Sequence, residues 1–282
     1  MPTIPFHKPG VTYNGLHATE HPTVGQVIAD LATTKQHFEH VRTYYPQFDG
    51  GAVDVGKVAK DANLNLLLGL FLFDGQNDWT AGNYENFVKP AAARGNVADI
   101  LVGNEDPQMI DNGILPQYLR QVKTDFPQMP VGTSQKSDFL ALRRARGATP
   151  LPRRFHRRQH LSGLGLDASG NKQPIGVTPD QGFNSFKGTY DDIQRKYSGK
   201  QIVVTETGWP TTFGPIGAQE FPVGISNARD YLQRVTGWAQ AQQVVLYIHN
   251  MFDDQYGVET SSSFNYHFGL IDDTGKPKGI QF

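Results

Sequence analysis

Cysteine is absent from the 282 residues, which excludes disulfides and thiolate chemistry and leaves the redox compartment undetermined. The chain has no excess of positive or negative charge, since its formal net charge is -1. It therefore lacks the electrostatic footprint of a nucleic-acid-binding protein. Long apolar runs are also lacking: residues 1–8 do not resemble a signal peptide, and hydrophobic residues make up only 38% of the chain. These absences favour a soluble globular protein with a neutral, polar ligand. We expect a monomer with neither a nucleic-acid nor a membrane partner, although the sequence itself leaves the oligomeric state open.

Signals for metals and cofactors are also scarce. The sequence has no spaced cluster of histidine and acidic residues, and no glycine-rich phosphate loop of either familiar type. His249 and Asn250 are neighbouring polar residues, for which we expect hydrogen bonds at the rim of a barrel rather than a metal. No cofactor and no metal are therefore expected.

Short β-like runs alternate with amphipathic segments along the chain, which predicts repeated βα units around a parallel sheet. The length is typical of one barrel of this type, so we predict an α/β fold with a single (β/α)8 TIM-barrel catalytic domain over residues 1–282. Seven strands are predicted, at Gly10–Asn14, His40–Tyr45, Asn65–Phe73, Ala98–Gly103, Pro130–Ser134, Gln201–Thr205 and Val244–His249. Six helices are predicted, at Thr23–Phe38, Asp54–Ala62, Tyr84–Arg94, Leu115–Phe126, Phe183–Tyr197 and Ser226–Ala241.

One of the eight units is missing from this pattern, between Ser137 and Gly163. Within that gap Leu140–His160 reads LALRRARGATPLPRRFHRRQH, which has neither helical nor strand periodicity. Such a run is usually a solvated loop or a basic patch for nucleic acid or membrane. We favour a shifted reading frame, because back-translation of Arg153–Ser162, read one base later, can give Val-Asp-Phe-Ile-Gly-Val-Asn-Ile-Tyr-Pro. That peptide has the apolar run and polar end of a buried parallel strand.

Two strand-like runs end in a carboxylate. Val102-Gly103-Asn104-Glu105 closes one apolar run, and Glu206 follows another, with Thr207-Gly208-Trp209-Pro210 behind it. Active sites of parallel barrels lie at the C-terminal ends of the strands, so Glu105 and Glu206 are expected at one mouth. Hydrolysis of a glycoside needs such a pair, since one carboxylic acid protonates the leaving oxygen and a second carboxylate attacks or activates water.

The runs VGNE and ETGWP at these two positions resemble the signatures of glycoside hydrolase family 17. Tyr247–Asp254 (YIHNMFDD) and His267–Leu270 (HFGL) resemble that family's eighth strand and closing segment. The resemblance implies a retaining enzyme that acts on β-1,3-glucan, located outside the cell, in the cell wall or in the periplasm. It implies Glu105 as acid/base and Glu206 as nucleophile, with Asn104 binding the sugar 2-hydroxyl.

Further substrate contacts are expected from aromatic and acidic residues near the strand ends, because aromatic faces stack on sugar rings. Tyr13 and Tyr44 end the first and second predicted strands and are candidates to orient a sugar or the nucleophile. The family motif includes Trp209 as a wall beside the nucleophile. Phe252 and Asp254 follow the eighth strand, where family members often carry Asp-Glu instead of Asp253-Asp254.

Three functions remain open at this point. A β-1,3-glucanase passes the glycosyl group to water, and a β-1,3-glucanosyltransferase passes it to a sugar with the same residues. A catalytically impaired glucan-binding protein is the third, because a chain without a proper sixth strand would form a broken barrel. Retention of both glutamates argues against that third alternative.

Overall fold

The computed structural model describes most of the chain. The described residues are 8–17, 21–73, 76–105, 113–136, 154–158, 164–166, 172–174, 178–212, 223–254 and 266–281. Among them, no helix is long and apolar enough to cross a membrane, and no group of three or more potential metal ligands is present.

Eight parallel strands close into a barrel in which each strand pairs with its neighbours in chain order. They are β1 (Gly10–Tyr13), β2 (His40–Thr43), β3 (Asn65–Leu70), β4 (Val97–Asn104), β5 (Val131–Lys136), β6 (Arg154–Arg158), β7 (Gln201–Thr207) and β8 (Leu246–Ile248). The predicted α/β class and (β/α)8 barrel are confirmed, as are the seven strands read from the sequence.

Helices cover the outside of the barrel between the strands. They are α1 (Val24–His37), α2 (Val55–Asp61), α3 (Lys89–Ala93, after a π-helical turn at Tyr84–Val88), α4 (Ile114–Asp125), α5 (Pro179–Lys196) and α6 (Ile225–Ala241). Short antiparallel pairs add Gln47–Phe48 with Val53–Asp54, Leu72–Phe73 with Gln76–Asn77, and Leu164–Leu166 with Lys172–Pro174, and a 3-10 turn lies at Asp49–Gly51. All six predicted helices are confirmed to within a few residues.

Local capping determines where several helices begin. The Thr23 and Asp54 side chains accept hydrogen bonds from the backbone N–H of the third residue beyond each of them, at the starts of α1 and α2. Helix α5 begins four residues before the predicted Phe183. Thr178 and Gln181 form a capping box there, and Pro179 occupies the first turn, which is the preferred place for proline.

The sixth strand lies where the sequence pattern shows no strand periodicity. The chain does supply a strand in the irregular interval: Arg154–Arg158 pairs in parallel with β5 on one side and β7 on the other. Pairing of strands uses backbone N–H and C=O groups, so it does not require the alternating apolar pattern that the sequence lacks here. The strand falls within Arg153–Ser162, where the shifted frame also predicts one. Its side chains lie outside the described residues, and the frame shift stays a prediction.

Residues on the two faces of the strands form separate apolar clusters. Val11, Val41 and Ile100 belong to the large cluster shared with the helices. Leu67 and Leu101 belong to a second cluster, built from strands β3, β4 and β7 and from the β8 region, that fills the barrel interior. Because side chains alternate along a strand, residues next to members of the large cluster point into the barrel. This alternation determines which side chains of the strands point into the barrel, where the candidate site lies.

The connection after β3 is closed by a buried carboxylate. Asp78 accepts hydrogen bonds from the backbone N–H of Phe71 at 2.6 Å and from the Asn83 side chain at 2.7 Å. Its own N–H donates to the carbonyl of Phe71, so the two ends of the loop are tied together. Burial raises the pKa of Asp78 from 3.8 to about 6, although the two donors oppose the shift.

This raised pKa gives an expected pH dependence of stability. The folded protein favours the protonated form of Asp78. Its contribution to the free energy of unfolding is therefore complete below pH 3.8 and is lost as the pH rises through about 6. Relative to Asp78→Asn, the wild type should lose on the order of 2–3 kcal/mol of unfolding free energy between pH 4 and pH 7. Urea denaturation of both proteins at the two pH values measures this difference. Asp61→Asn, at an exposed position on α2, is the control, and a wild-type-to-variant difference that does not vary with pH would refute the expectation.

Candidate active site

An arginine inside the barrel organises the site. Arg42 lies on β2 next to Val41, so it points inward, and it is 1% exposed. Its Nη1 donates to the Oε1 atom of Glu206 and, at 3.2 Å, to the carbonyl of Thr205. Glu206 is also 1% exposed, so this is a buried ion pair at the C-terminal end of β7. A buried carboxylate needs a cation and further hydrogen bonds, and Arg42 supplies the cation.

The same guanidinium reaches the end of β4. Arg42 Nη2 donates to the Asn104 side-chain oxygen at 2.7 Å and to the Ser134 hydroxyl at 3.3 Å. Glu105 is the next residue after Asn104, and its backbone N–H donates to the carbonyl of Ser134 at 2.9 Å. The structure therefore places both sequence-predicted glutamates at the C-terminal mouth of the barrel, with Arg42 joining Glu206 to the residue before Glu105.

The backbone of Glu105 adopts an unusual conformation. Its φ is 58°, in the left-handed region that non-glycine residues rarely occupy. This turn lets the chain leave β4 while the N–H of Glu105 stays bonded to β5. Residues held in such conformations cluster at functional sites, which agrees with a role for this carboxyl group.

Tyr44 lies in the mouth, as predicted. It follows β2 directly, its ring lies under the Arg42 guanidinium at 4.4 Å, and its hydroxyl is 3.3 Å from Nδ1 of His249. His249 Nδ1 is also 3.1 Å from the Thr12 hydroxyl and 3.9 Å from the Oε2 atom of Glu206. The predicted rim hydrogen bonds of His249 and Asn250 are confirmed, because the Thr12 hydroxyl contacts both of them.

Asp253 and Asp254 have different surroundings. Asp254 accepts hydrogen bonds from the side chains of Asn14 at 2.7 Å and Asn250 at 3.4 Å, which holds it beside the end of β1. Asp253 is buried, and it accepts from the Gly269 N–H and from the ammonium of Lys278, each at 2.7 Å. Asp253 therefore anchors the C-terminal segment, and Asp254 is the acidic residue near the mouth.

Tyr13 and Phe252 do not join the glutamates. Tyr13 points out of the barrel, is 1% exposed, and donates its hydroxyl to Asp30 of α1 at 2.7 Å. Burial raises the pKa of Tyr13 well above its usual range, and Asp30 adds to the shift. Phe252 stacks on the His17 ring at 4.3 Å, and the His17 Nε2 atom lies 2.9 Å from Asp30. These residues form a buried cluster between β1 and α1.

Trp209 also lies in the core. It is 2% exposed and packs against Tyr231 of α6, with ring centroids 5.2 Å apart. It belongs to the large apolar cluster outside the barrel interior. The structure thus gives Trp209 a supporting place behind β7, whereas the sequence motif suggested a wall of the sugar site.

Sequence reasoning missed Arg42. The signal for Arg42 was present: a charged residue stands inside the run His40–Tyr45, two positions before Tyr44, so both side chains share one face. An arginine on the inner face of a barrel requires a buried anion. Glu206 provides that anion.

A separate cavity of about 550 Å³ lies between the C-terminal end of α1 and the segment after β8. Its lining includes Phe38, Met251 and Ile280, with Lys35 and His37 on α1. Neither Glu105 nor Glu206 lines this cavity, so the barrel mouth remains the candidate site.

Solved structures with this architecture include two of a β-1,3-glucanosyltransferase and one of an endo-laminarinase. A glycoside hydrolase family 17 β-1,3-glucanosyltransferase from Rhizomucor miehei is similar with a TM-score of 0.69 and 22% identity, over 97% of this chain and 96% of that one. An active-site mutant of the Rhizomucor miehei β-1,3-glucanosyltransferase in complex with laminaritriose has a TM-score of 0.66, with the same 22% identity and the same 97% and 96% coverage. An endo-laminarinase from Formosa Hel1_33_131 has a TM-score of 0.76 and 13% identity, over 98% of this chain and 86% of that one.

These likenesses show the fold. No protein-family model and no curated protein sequence matches the chain. The barrel predicted from the sequence agrees with these structures, which include a family 17 enzyme similar over nearly the full length of both chains.

Proposed function

We propose that the chain is a retaining β-glycoside-processing enzyme of the family 17 type that acts on β-1,3-glucan. The observation that carries the proposal is the pair of strand-end glutamates, Glu105 and Glu206, with Arg42 joining Glu206 to Asn104 beside the other glutamate. The fold shared with a β-1,3-glucanosyltransferase and an endo-laminarinase supports the choice of substrate.

In the first step, a Glu206 oxygen attacks the anomeric carbon of the bound sugar while Glu105 donates its proton to the glycosidic oxygen. The bond between the anomeric carbon and that oxygen breaks, the aglycone leaves as an alcohol, and the sugar stays covalently attached to Glu206. Burial of Glu206 beside Arg42 suits this role, since the nucleophile must be an anion held in a fixed place.

In the second step, the Glu105 carboxylate accepts a proton from an incoming hydroxyl, whose oxygen attacks the anomeric carbon and releases Glu206. Water as acceptor gives hydrolysis, and a sugar hydroxyl gives transfer. Asn104 is held by Arg42 at 2.7 Å, so its amide group is fixed where a sugar hydroxyl can bind. Action on wall glucan would place the protein outside the cytoplasm.

Transglycosylation is the second candidate, favoured by the likeness to a glucanosyltransferase over 97% of this chain. The alternative of an impaired glucan-binding protein loses its main support, because the sixth strand is present and the barrel is closed.

Product analysis tests the proposal. Laminari-oligosaccharides of defined length are incubated with the purified protein and separated by chromatography, with cello-oligosaccharides of equal length as the linkage control. We expect conversion of the β-1,3-linked series only, because the linkage determines how the chain crosses the mouth. Products longer than the substrate identify transfer, and exclusively shorter ones identify hydrolysis. Binding without any product would refute the enzymatic assignment.

A further inference from the structure

His249 occupies a position that the proposed mechanism has not used. It follows β8 at the barrel mouth, and its side chain is 16% exposed. Its backbone N–H donates to the carbonyl of Thr207 at 2.8 Å, which fixes it against the end of β7. Gly208 permits this closeness, because a Cβ atom at that position would collide with the carbonyl of His249. The backbone of His249 is thus held against the strand that carries Glu206.

The hydrogen bonds around Asn250 fix the direction of the network. The Asn250 side-chain oxygen accepts from the Met251 N–H at 2.8 Å, and its amide nitrogen donates to Asp254 at 3.4 Å. The oxygen therefore faces Thr12, whose hydroxyl donates to it at 3.1 Å. A hydroxyl has a single hydrogen, so toward His249 the Thr12 oxygen is an acceptor.

This direction determines the tautomer of His249. Because Thr12 accepts, Nδ1 must carry the hydrogen in the 3.1 Å contact. The Nδ1 atom, whose hydrogen is donated to Thr12, also lies 3.9 Å from the Oε2 atom of Glu206 and 3.3 Å from the Tyr44 hydroxyl. Arg42 bonds the other carboxylate oxygen, Oε1. Oε1 of Glu206 therefore accepts a hydrogen bond from Arg42, whereas Oε2 is near the partial positive charge of the His249 Nδ1–H group.

We propose that His249, held in the Nδ1–H tautomer by Thr12 and Asn250, is a positioning residue that orients the Glu206 carboxylate. This inference deepens the proposed function, since it assigns the role to the same site. With Arg42 bonded to one oxygen and the partial positive charge of Nδ1–H 3.9 Å from the other, one orientation of the carboxyl group is favoured and one oxygen can be aimed at the anomeric carbon. An alternative is that the imidazole only fills space against Phe268, whose ring centroid is 5.4 Å away.

A set of substitutions separates these roles. An asparagine amide can place an N–H close to Nδ1, a glutamine amide places it close to Nε2, and phenylalanine keeps the ring without any donor. We expect His249→Asn to retain kcat within about fivefold, and His249→Gln and His249→Phe to lose about 10- to 100-fold, with KM changed less than about threefold. A space-filling role predicts the opposite order, with His249→Phe the most active variant.

A substitution of Thr12 tests the network without changing the imidazole. Thr12→Val removes the acceptor for Nδ1–H, and Thr12→Ser keeps it. We expect Thr12→Val to have a lower kcat than the wild type, as His249→Phe does, and Thr12→Ser to keep a kcat close to that of the wild type. Thermal unfolding of every variant confirms that it is folded before its kinetic constants are compared.

The tautomer is measured independently of activity. In protein labelled with ¹⁵N-histidine, the His249 signal is assigned by its loss in His249→Asn, at a pH where the imidazole is neutral. We expect a protonated Nδ1 in the wild type and a loss of that preference in Thr12→Val. A protonated Nε2 with a bare Nδ1, or full kcat in His249→Phe, would overturn the proposal. If the tautomer is as expected but no β-glucan is converted, the proposed function fails while the placement of Nδ1–H beside Glu206 stands.

Discussion

Replacement of Glu206 by glutamine should lower kcat by about 10⁴-fold or more, which corresponds to about 5.5 kcal/mol of transition-state stabilisation. The amide has nearly the same shape, and its oxygen can still accept a hydrogen bond from Arg42. The loss therefore reports the missing nucleophile rather than a collapsed site. Initial rates on laminari-oligosaccharides measure it, with Glu85→Gln, an exposed glutamate on the outer surface, as the control.

Azide distinguishes the roles of the two glutamates. On an aryl β-glycoside with a good leaving group, Glu206→Ala leaves space for azide on the face opposite the leaving group, so an α-glycosyl azide is expected. Glu105→Ala still forms the covalent intermediate with this substrate because the leaving group needs no proton, and azide then gives the β-glycosyl azide. Undiminished activity of Glu206→Gln, or the reverse pairing of azide products, would show that the assignment is wrong.

Replacement of Arg42 by methionine is expected to damage stability and activity together. Removal of one partner from a buried ion pair leaves an uncompensated charge, which typically costs about 3–5 kcal/mol. Arg42 also holds Asn104, so the side chain proposed to bind the sugar loses its support and kcat/KM should fall by at least about 10²-fold. Urea unfolding and initial rates measure the two effects. Arg42→Lys should recover part of the stability but little activity, because a lysine cannot bond two groups through a planar fork.

An exposed arginine provides the control for Arg42. Arg234 on α6 forms ion pairs with Asp180 and Asp230, and its side chain is 40% exposed. Arg234→Met should cost less than about 1 kcal/mol, because surface ion pairs contribute little. A double variant, Arg42→Met with Glu206→Gln, should be less destabilised than the sum of the single changes, since no unpaired charge remains. Additive effects would contradict a direct ion pair.

Strands read as apolar runs were located from the sequence because a parallel strand buried on both faces is continuously hydrophobic. Ile100–Val102 and Ile202–Val204 are examples, and both lie where expected. Strand β6 was not found among the apolar runs because its residues show no such pattern. Its backbone nevertheless pairs with β5 and β7. Apolar periodicity predicts burial, and burial is only one of the conditions for strand pairing.

The positions of Glu105 and Glu206 followed from topology, since all strands of a parallel barrel end at one face. The two tyrosines show what the sequence left undecided. Thr12 contacts His249 inside the mouth, so Tyr13, the next residue, must point out toward α1. Tyr44 is two residues after the inward Arg42 and shares its face. The alternation of side chains along β1 and β2 distinguishes Tyr13 from Tyr44. It does so only once another residue on each strand is known to point into the barrel.

The left-handed backbone at Glu105 has a consequence for the history of the chain. Glycine would occupy a φ of 58° without steric cost, whereas an L-residue there loses about 1–2 kcal/mol. On stability alone glycine would be preferred at position 105, so the backbone itself gives no reason for a glutamate there. In a lineage that kept the barrel but abandoned catalysis, position 105 should be among the first to drift, and glycine or asparagine is the expected replacement.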